Sequence, residues 1–492
     1  MPLSWLIIVP ALTALLVMAA RSQQQVRVLA ATGMGIQLLQ SCYLLYEFLK
    51  ERAAGNLEVV LFSKNYEWYP SLHISFDVGV DGIAVAMIML TSIVIFTGIF
   101  ASWEVENLYK EFFVSLIILT TGVFGFFISL DLFVMFLFFE LAVIPMYLLI
   151  GIWGSGKKEY AAMKLTLMLM GGSALLVVGI LGIYFHSDVN GAHSFNILQL
   201  STQHFSMEMQ RIFFPMTFIG FGVIGALFPF HTWSPDGHSS APTAVSMLHA
   251  GVLMKLGGYG CLKVAIYLMP EGANEMAWIF LILTSISVIY GAMSTIVQTD
   301  LKYINAYSSV SHCGLVLFAL LMLNKTSSDG AVLQMVSHGL MTALFFGLIG
   351  MLYSRTHTRI VSEMGGLMKV LPFFSVCYVI AGLASLGLPG LSGFVAEMTI
   401  FVGAFQHPDL FHRIILVIAV SSIVVTAVYI LRVVGTLLMG PIKNAAFANL
   451  PEAKWHEKIA TIMLISAITF IGIAPLWLSE MIMQSLGPIL DK

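Results

Sequence analysis

Six ionisable side chains stand in stretches that are otherwise apolar. Glu140 sits in the middle of FVMFLFFELAVIPMYLLI, Lys164 in EYAAMKLTLMLMGGSALL and Lys255 in SMLHAGVLMKLGGYGCL. His312 lies in NAYSSVSHCGL, His338 in LQMVSHGLMTALFFGL and Glu397 in FVAEM. A lone carboxylate in a lipid-embedded helix costs about 2.5–3.5 kcal/mol on insertion scales. Protonation, or a cation from another segment, lowers that cost. Either answer leaves a group whose charge can change, which is the chemistry of a proton carrier.

Lys255 lies deep in its run, where an ammonium without a partner gives up its proton more readily than in water. Lys164 is nearer a helix end, where its long stem can also reach the interface. His231 and His238 flank a proline-rich stretch, and His249 precedes Lys255 by six residues, on another side of the same helix. A histidine titrates near neutrality and can relay a proton. Each one alone reads equally well as a packing group. Together with the acids and lysines they read as a polar line of coupled sites.

The elements that position these groups must be membrane helices. The chain has 492 residues, of which 59% are hydrophobic and 10% charged, and its mean hydropathy is +0.92. Soluble domains carry about 25% charged residues. A chain this apolar is an integral membrane protein. The formal net charge of −3 gives no indication of nucleic-acid binding. Cys42, Cys261, Cys313 and Cys377 are scattered through apolar runs without metal-ligand spacing, and read as buried free thiols. There is no glycine loop for a nucleotide and no cysteine pattern for an iron–sulfur cluster.

Runs of about 20 apolar residues predict an all-α membrane fold of about fourteen helices. The first three cover approximately 2–21, 26–48 and 78–102. Helices four to eight cover 110–129, 130–153, 160–185, 210–231 and 242–268, and helices nine to thirteen 275–297, 303–324, 328–355, 370–402 and 410–440. The last covers 457–482. The N-terminal run is expected to be the first membrane helix and not a removed signal.

Two of these helices should be broken. GALFPFHTWSPDGHSSAP carries Pro229, Pro235 and Pro242, and ASLGLPGLSGFVAEMTIF carries Pro389 among Gly387, Gly390 and Gly393. Such breaks survive in lipid only inside protein or beside a wet cavity. They fall in helices seven and twelve, the fourth helix of each of two five-helix units (helices 4–8 and 9–13). Five is odd, so the second unit is inverted, as in inverted-repeat transporters with a midplane site. The expected division is 1–109 for helices one to three, 110–268 and 275–440 for the two repeats, and 441–492 for the C-terminal segment. Short-loop basic residues divide between two faces: Arg21, Arg27, Lys110, Lys157, Lys158, Lys302, Arg355, Arg359, Lys369, Lys443, Lys454 and Lys458 against a sparser set. The richer face should be cytoplasmic, with both termini outside.

HTWSPDGHSSAPTAVSMLHAGVLMKLGGYG resembles the signature of the antiporter-like subunits of respiratory complex I, and FFELAVIPMYLLIGIWG, DLKYINAYSSVSHCG and LPGLSGFVAEMTIF agree with it. The resemblance runs over nearly the whole chain. A glutamate at position 397, and an end near residue 492 without a long lateral helix, favour the M-type subunits within that family. The resemblance implies proton translocation coupled to quinone reduction in other subunits, and a fourteen-helix inverted repeat. It implies no cofactor here, with flavin, iron–sulfur clusters and quinone in partner subunits, and L-type and N-type neighbours in a bacterial inner membrane. Carried over, Glu140 matches the helix-five glutamate, Lys255 the helix-eight lysine and Glu397 the helix-twelve glutamate that passes protons to the exit. The chain departs from the family at Ile224, where most relatives have the lysine that pairs with the helix-five glutamate. Either Lys164 takes its place or Glu140 stays protonated for longer. His249 is a smaller departure, toward the L-type pattern. A Mrp-type cation/proton antiporter or membrane-bound hydrogenase subunit is the alternative.

Overall fold

The structure, a computed structural model, describes residues 2–189 and 191–491. The elements follow in chain order. First come α1 (Trp5–Ala19), α2 (Gln23–Ala53), a hairpin of β1 (Leu61–Tyr69) and β2 (Ile74–Val80), and α3 (Gly82–Ala101). Then come α4 (Tyr109–Ile128), α5 (Leu132–Trp153), α6 (Lys158–His186), a short α7 (Ile197–Leu200) and α8 (Met207–Ile224). The middle continues with α9 (Trp233–Ser240), α10 (Thr243–Leu248), α11 (Met254–Gly260), α12 (Pro270–Val297), α13 (Leu301–Leu320) and α14 (Lys325–Thr356). The last are α15 (Pro372–Ser385), α16 (Ser392–Phe405), α17 (Leu410–Leu438), α18 (Trp455–Ile473) and α19 (Leu476–Leu490).

Among the described residues, nine helices are long and apolar enough to cross a membrane by themselves, and α1, α15 and α16 are shorter apolar helices. Helices dominate because hydrocarbon offers no partners for a free backbone, and a helix satisfies its own. Their starts are written locally. Asp81, Asp131, Asp300, Asn324 and Asp409 each cap a helix by accepting hydrogen bonds from its first amides.

Both expected breaks are present. The seventh expected span is α8 and α9, interrupted at 225–232, where Ala226 takes a positive φ of 56°. The twelfth is α15 and α16, interrupted at 386–391. Gly387 and Gly390 there have φ of 63° and 91°, a region L-residues rarely enter. Helix eight is also irregular: π-turns at His249–Leu253 and Cys261–Ile266 alternate with α10 and α11. Such wider turns often mark functional sites.

Three features were not expected. The stretch left open between helices two and three holds the antiparallel hairpin, paired from Leu61 opposite Val80 to Tyr69 opposite Ile74. The final helix, expected at 457–482, is two: Pro475 ends α18, and α19 runs across the ends of α14 and α3. Ser479 donates to Asp329 (2.6 Å), Gly82 N donates to Ser485 (2.8 Å), and Lys325 pairs with Asp491. The third is α7, tied to the hairpin through Asn196 and Asp77 (2.6 Å).

Contacts between loops keep to the two faces read from the basic residues. On the richer face Arg355 pairs with Glu457 (2.7 Å), Arg359 with Asp300 (3.1 Å) and Lys454 with Glu104. On the other, Lys263 pairs with Asp81 and Arg211 with Glu275 (3.0 Å). All four cysteines are free; Cys261, Cys313 and Cys377 are buried as expected, but Cys42, on the outer side of α2, is exposed.

Candidate functional site

Four of the expected groups meet in one buried line. The Lys255 ammonium donates to the Ala250 carbonyl at 2.5 Å and to Nδ1 of His338, on α14, at 2.6 Å. The His338 ring lies 5.2 Å, centroid to centroid, from that of His312 on α13. His312 Nδ1 accepts from the Gln334 amide (3.0 Å) and stands 3.6 Å from Oε1 of Glu397 on α16. All four are buried. The spatial order is Lys255, His338, His312, Glu397.

Local chain geometry explains this meeting. Lys255 directly follows the π-turn whose Ala250 carbonyl it holds. Glycine lets its helix approach the break in helix seven: a Cβ at Gly257 would stand 2.6 Å from Gly225 N and from the Phe221 carbonyl. A cavity of about 10 Å³ lies there between Gly225, Lys255 and Cys313. At the other end, the break before α16 brings Glu397 beside a second cavity of about 10 Å³, lined by His312, Ser311, Ser385, Ser422 and Thr426. That is room for about one water among several hydroxyls. An acid and a base thus stand at opposite ends of two imidazoles in a low-dielectric interior. Moving one proton there strongly changes the energy of the next move.

A second polar group surrounds α9. Asp236 accepts from Lys164 (2.7 Å) and from the Tyr303 hydroxyl (3.0 Å). Lys302 donates to the Ala241 carbonyl (2.5 Å) and Arg359 to that of Ser239 (2.7 Å). His238 and His249 are fully buried ring to ring at 4.3 Å, and His249 also stacks on Trp233 at 5.0 Å. Among the described residues, their ring nitrogens have no hydrogen-bond partner. His231 packs between Phe228 (5.6 Å) and Tyr290 (4.9 Å). A cavity of about 300 Å³ opens on the basic face and reaches Lys302, Pro242 and Met247.

Glu140 stands apart from the buried line. It is half-buried and accepts from the Ser173 hydroxyl of α6. Ile224, where most relatives were expected to have a lysine, is buried and ends α8. The expected pairing of Lys164 with Glu140 is replaced by one with Asp236, because α9 carries that carboxylate to within reach of Lys164 and of Tyr303. Asp236, Tyr303, Gln334 and Lys302 were not singled out in the sequence. Their signal was present, as charged or amide groups inside the long motifs that hold the histidines.

Comparison with known proteins gives the same family. Residues 129–426 match the family described as NADH:quinone oxidoreductase/Mrp antiporter, transmembrane. The chain belongs to this family. It is 37% identical to NAD(P)H-quinone oxidoreductase chain 4-2 of Synechocystis sp., over 77% of this chain and 67% of that one. It is 33% identical to NADH-quinone oxidoreductase subunit M of Rickettsia bellii, over 89% of this chain and 87% of that one. Its fold matches a chain in the structure of respiratory complex I from Thermus thermophilus with bound NADH, with a TM-score of 0.88 and 23% identity, covering 99% of this chain and 100% of that one.

Proposed function

We propose that this chain is a proton-translocating membrane subunit of a complex I-type NAD(P)H:quinone oxidoreductase, of the M type. The observation that carries this reading is the buried contact sequence Lys255–His338–His312–Glu397, held between two interrupted helices. Protons reach Lys255 from the basic face through the break in helix seven. They pass along the two imidazoles and leave from Glu397 past the break in helix twelve. His238 and His249 lie on the approach, with His231 at its rim. Glu140, on Ser173, and Lys164, on Asp236, are further proton-transfer groups beside that line. The residues 110–268 and 275–440 act as two inverted halves, framed by 1–109 and 441–492.

The chain works without a cofactor of its own. Flavin, iron–sulfur clusters and quinone belong to partner subunits, and L-type and N-type subunits flank it. It lies in the bacterial inner membrane with its basic face toward the cytoplasm and both termini outside. The family's description also covers Mrp antiporters, so a cation/proton antiporter or membrane-bound hydrogenase subunit is the second reading. The subunits that co-purify with the chain separate the two.

The test is proton pumping by the reconstituted complex. Lys255→Ala and Glu397→Gln each lower pumping and coupled quinone reduction at least tenfold, while NADH oxidation by an artificial electron acceptor stays normal. Full pumping by both variants would falsify the proposal.

A further inference from the structure

α9 is 8 residues long and ends at the cavity on the basic face. A helix leaves its last carbonyls without partners of its own, and Pro242, next in the chain, brings no N–H. The carbonyls of residues 238–241 are therefore satisfied from outside. Ser246 Oγ donates to that of His238 (3.0 Å), and the Ser155 amide to that of Ser240 (2.8 Å). The other two take cations. The Arg359 guanidinium donates to the Ser239 carbonyl at 2.7 Å, and the Lys302 ammonium to the Ala241 carbonyl at 2.5 Å.

Carbonyl oxygens at the negative end of a helix are what a hard cation such as sodium takes in place of its water. This end is within reach of one. The cavity of about 300 Å³ is lined by Ser240, Ala241, Pro242 and Lys302, and has room for a cation with waters around it. The oxygens, however, already hold charges that belong to the chain. Lys302 is buried, and Arg359 is anchored a second time by Asp300, at 3.1 Å. A metal ion would have to push an ammonium off its carbonyl and then sit beside a guanidinium. A proton needs no such displacement. Lys302 breaks one N–H bond toward the interior and forms another to a proton from the cavity, so the ammonium is restored in place. A fixed positive charge in a narrow route is a barrier to other cations.

We propose that Lys302, with Arg359 beside it, is a selectivity-determining residue: a tethered cation that fills the oxygen cradle at the end of α9 and keeps sodium out of the proton route. This role rests on proton translocation as proposed above, and adds which ion the route refuses.

The test uses the whole complex. On the resting enzyme, sodium NMR line broadening measures binding without turnover. Lys302→Met binds sodium at least tenfold more tightly than the wild type, and Lys302→Arg does not. In proteoliposomes, NADH-driven pumping is compared in sodium chloride and choline chloride. Sodium slows Lys302→Met at least threefold more than choline does, and leaves the wild type unchanged. Lys302→Arg pumps slowly in both salts, because a guanidinium does not release its proton. Lys302→Gln still donates to the Ala241 carbonyl but carries no charge; it behaves as Lys302→Met and replaces it if that variant fails to assemble. Equal sodium binding and equal salt response in the wild type and the neutral variants overturn the role, even where pumping is lost, since loss in both salts alike is what a purely structural lysine gives. A wild type that pumps no protons overturns the proton-translocation reading instead, and sodium binding to the resting enzyme still decides whether Lys302 guards the cradle.

Discussion

Lys255 and His338 share a 2.6 Å hydrogen bond between α11 and α14, and the same ammonium holds the Ala250 carbonyl of the preceding π-turn. The ammonium is the donor and Nδ1 the acceptor, so a proton crossing this bond moves the positive charge from one helix to the next. His338→Ala is expected to cut pumping at least tenfold, and His338→Ala/Lys255→Ala to do no worse than Lys255→Ala alone, because groups acting in series are not additive. Pumping rates of the two single variants and the double variant check this. A double variant tenfold slower than either single would place the two groups on separate routes.

Glu140 has Ser173 as its partner, and Lys164 has Asp236. Glu140→Gln should therefore lower pumping, while Lys164→Ala and Asp236→Asn should resemble one another and differ from Glu140→Gln in severity. The Lys164–Asp236 pair is partly exposed, and a double-mutant cycle on stability should give a coupling of roughly 1 kcal/mol. A larger coupling of Lys164 to Glu140 than to Asp236 would contradict the geometry.

Arg355 grips Glu457 through two parallel hydrogen bonds of 2.8 and 2.7 Å, with 4% and 10% of the two side chains exposed. Removing one partner of a buried pair strands the other charge. Arg355→Ala should cost about 3–5 kcal/mol, seen as a fall in Tm or failed assembly. Replacing both residues by apolar ones of similar size should restore most of it.

Gly472 faces the break in helix twelve so closely that a Cβ there would stand 2.4 Å from Leu391 Cα and 2.5 Å from the Gly390 carbonyl. Both are backbone atoms and cannot turn aside. Gly472→Val should destabilise by about 1–3 kcal/mol and displace the segment leading to Glu397, so pumping falls together with Tm. A variant with unchanged Tm and pumping would show that α18 is free to withdraw.

The helices and both breaks were legible because apolar runs and proline–glycine clusters act over a few residues. The relay was legible as a set of residues, since each is an ionisable group in an apolar run. Its order was not. His338 precedes His312 in space because its ring, on α14, meets the Lys255 ammonium on one side and the His312 ring on the other, a fact of packing and not of spacing along the chain. For the same reason the partner of Lys164 was not legible: Asp236 is 72 positions further along and arrives only because α9 restarts after the break. The hairpin at Leu61–Val80 escaped notice because its strands, 9 and 7 residues long, are far shorter than a span and mix polar with apolar residues. Pro475 was visible, but α19 keeps the apolar character of α18, so two helices read as one continuing span.

α14 is gripped at both ends. Ser479 and Asp491 hold its start, Glu457 holds its finish, and 89% of its most apolar stretch is buried inside the protein. His338 rides near its middle. A helix pinned in this way cannot slide when the charge it carries changes. Displacement must be taken up by its interrupted neighbours, α10 with α11 on one flank and α15 with α16 on the other. The molecule is in effect a fixed axle between two jointed arms, and each arm has its joint next to the group that takes up or gives away the proton.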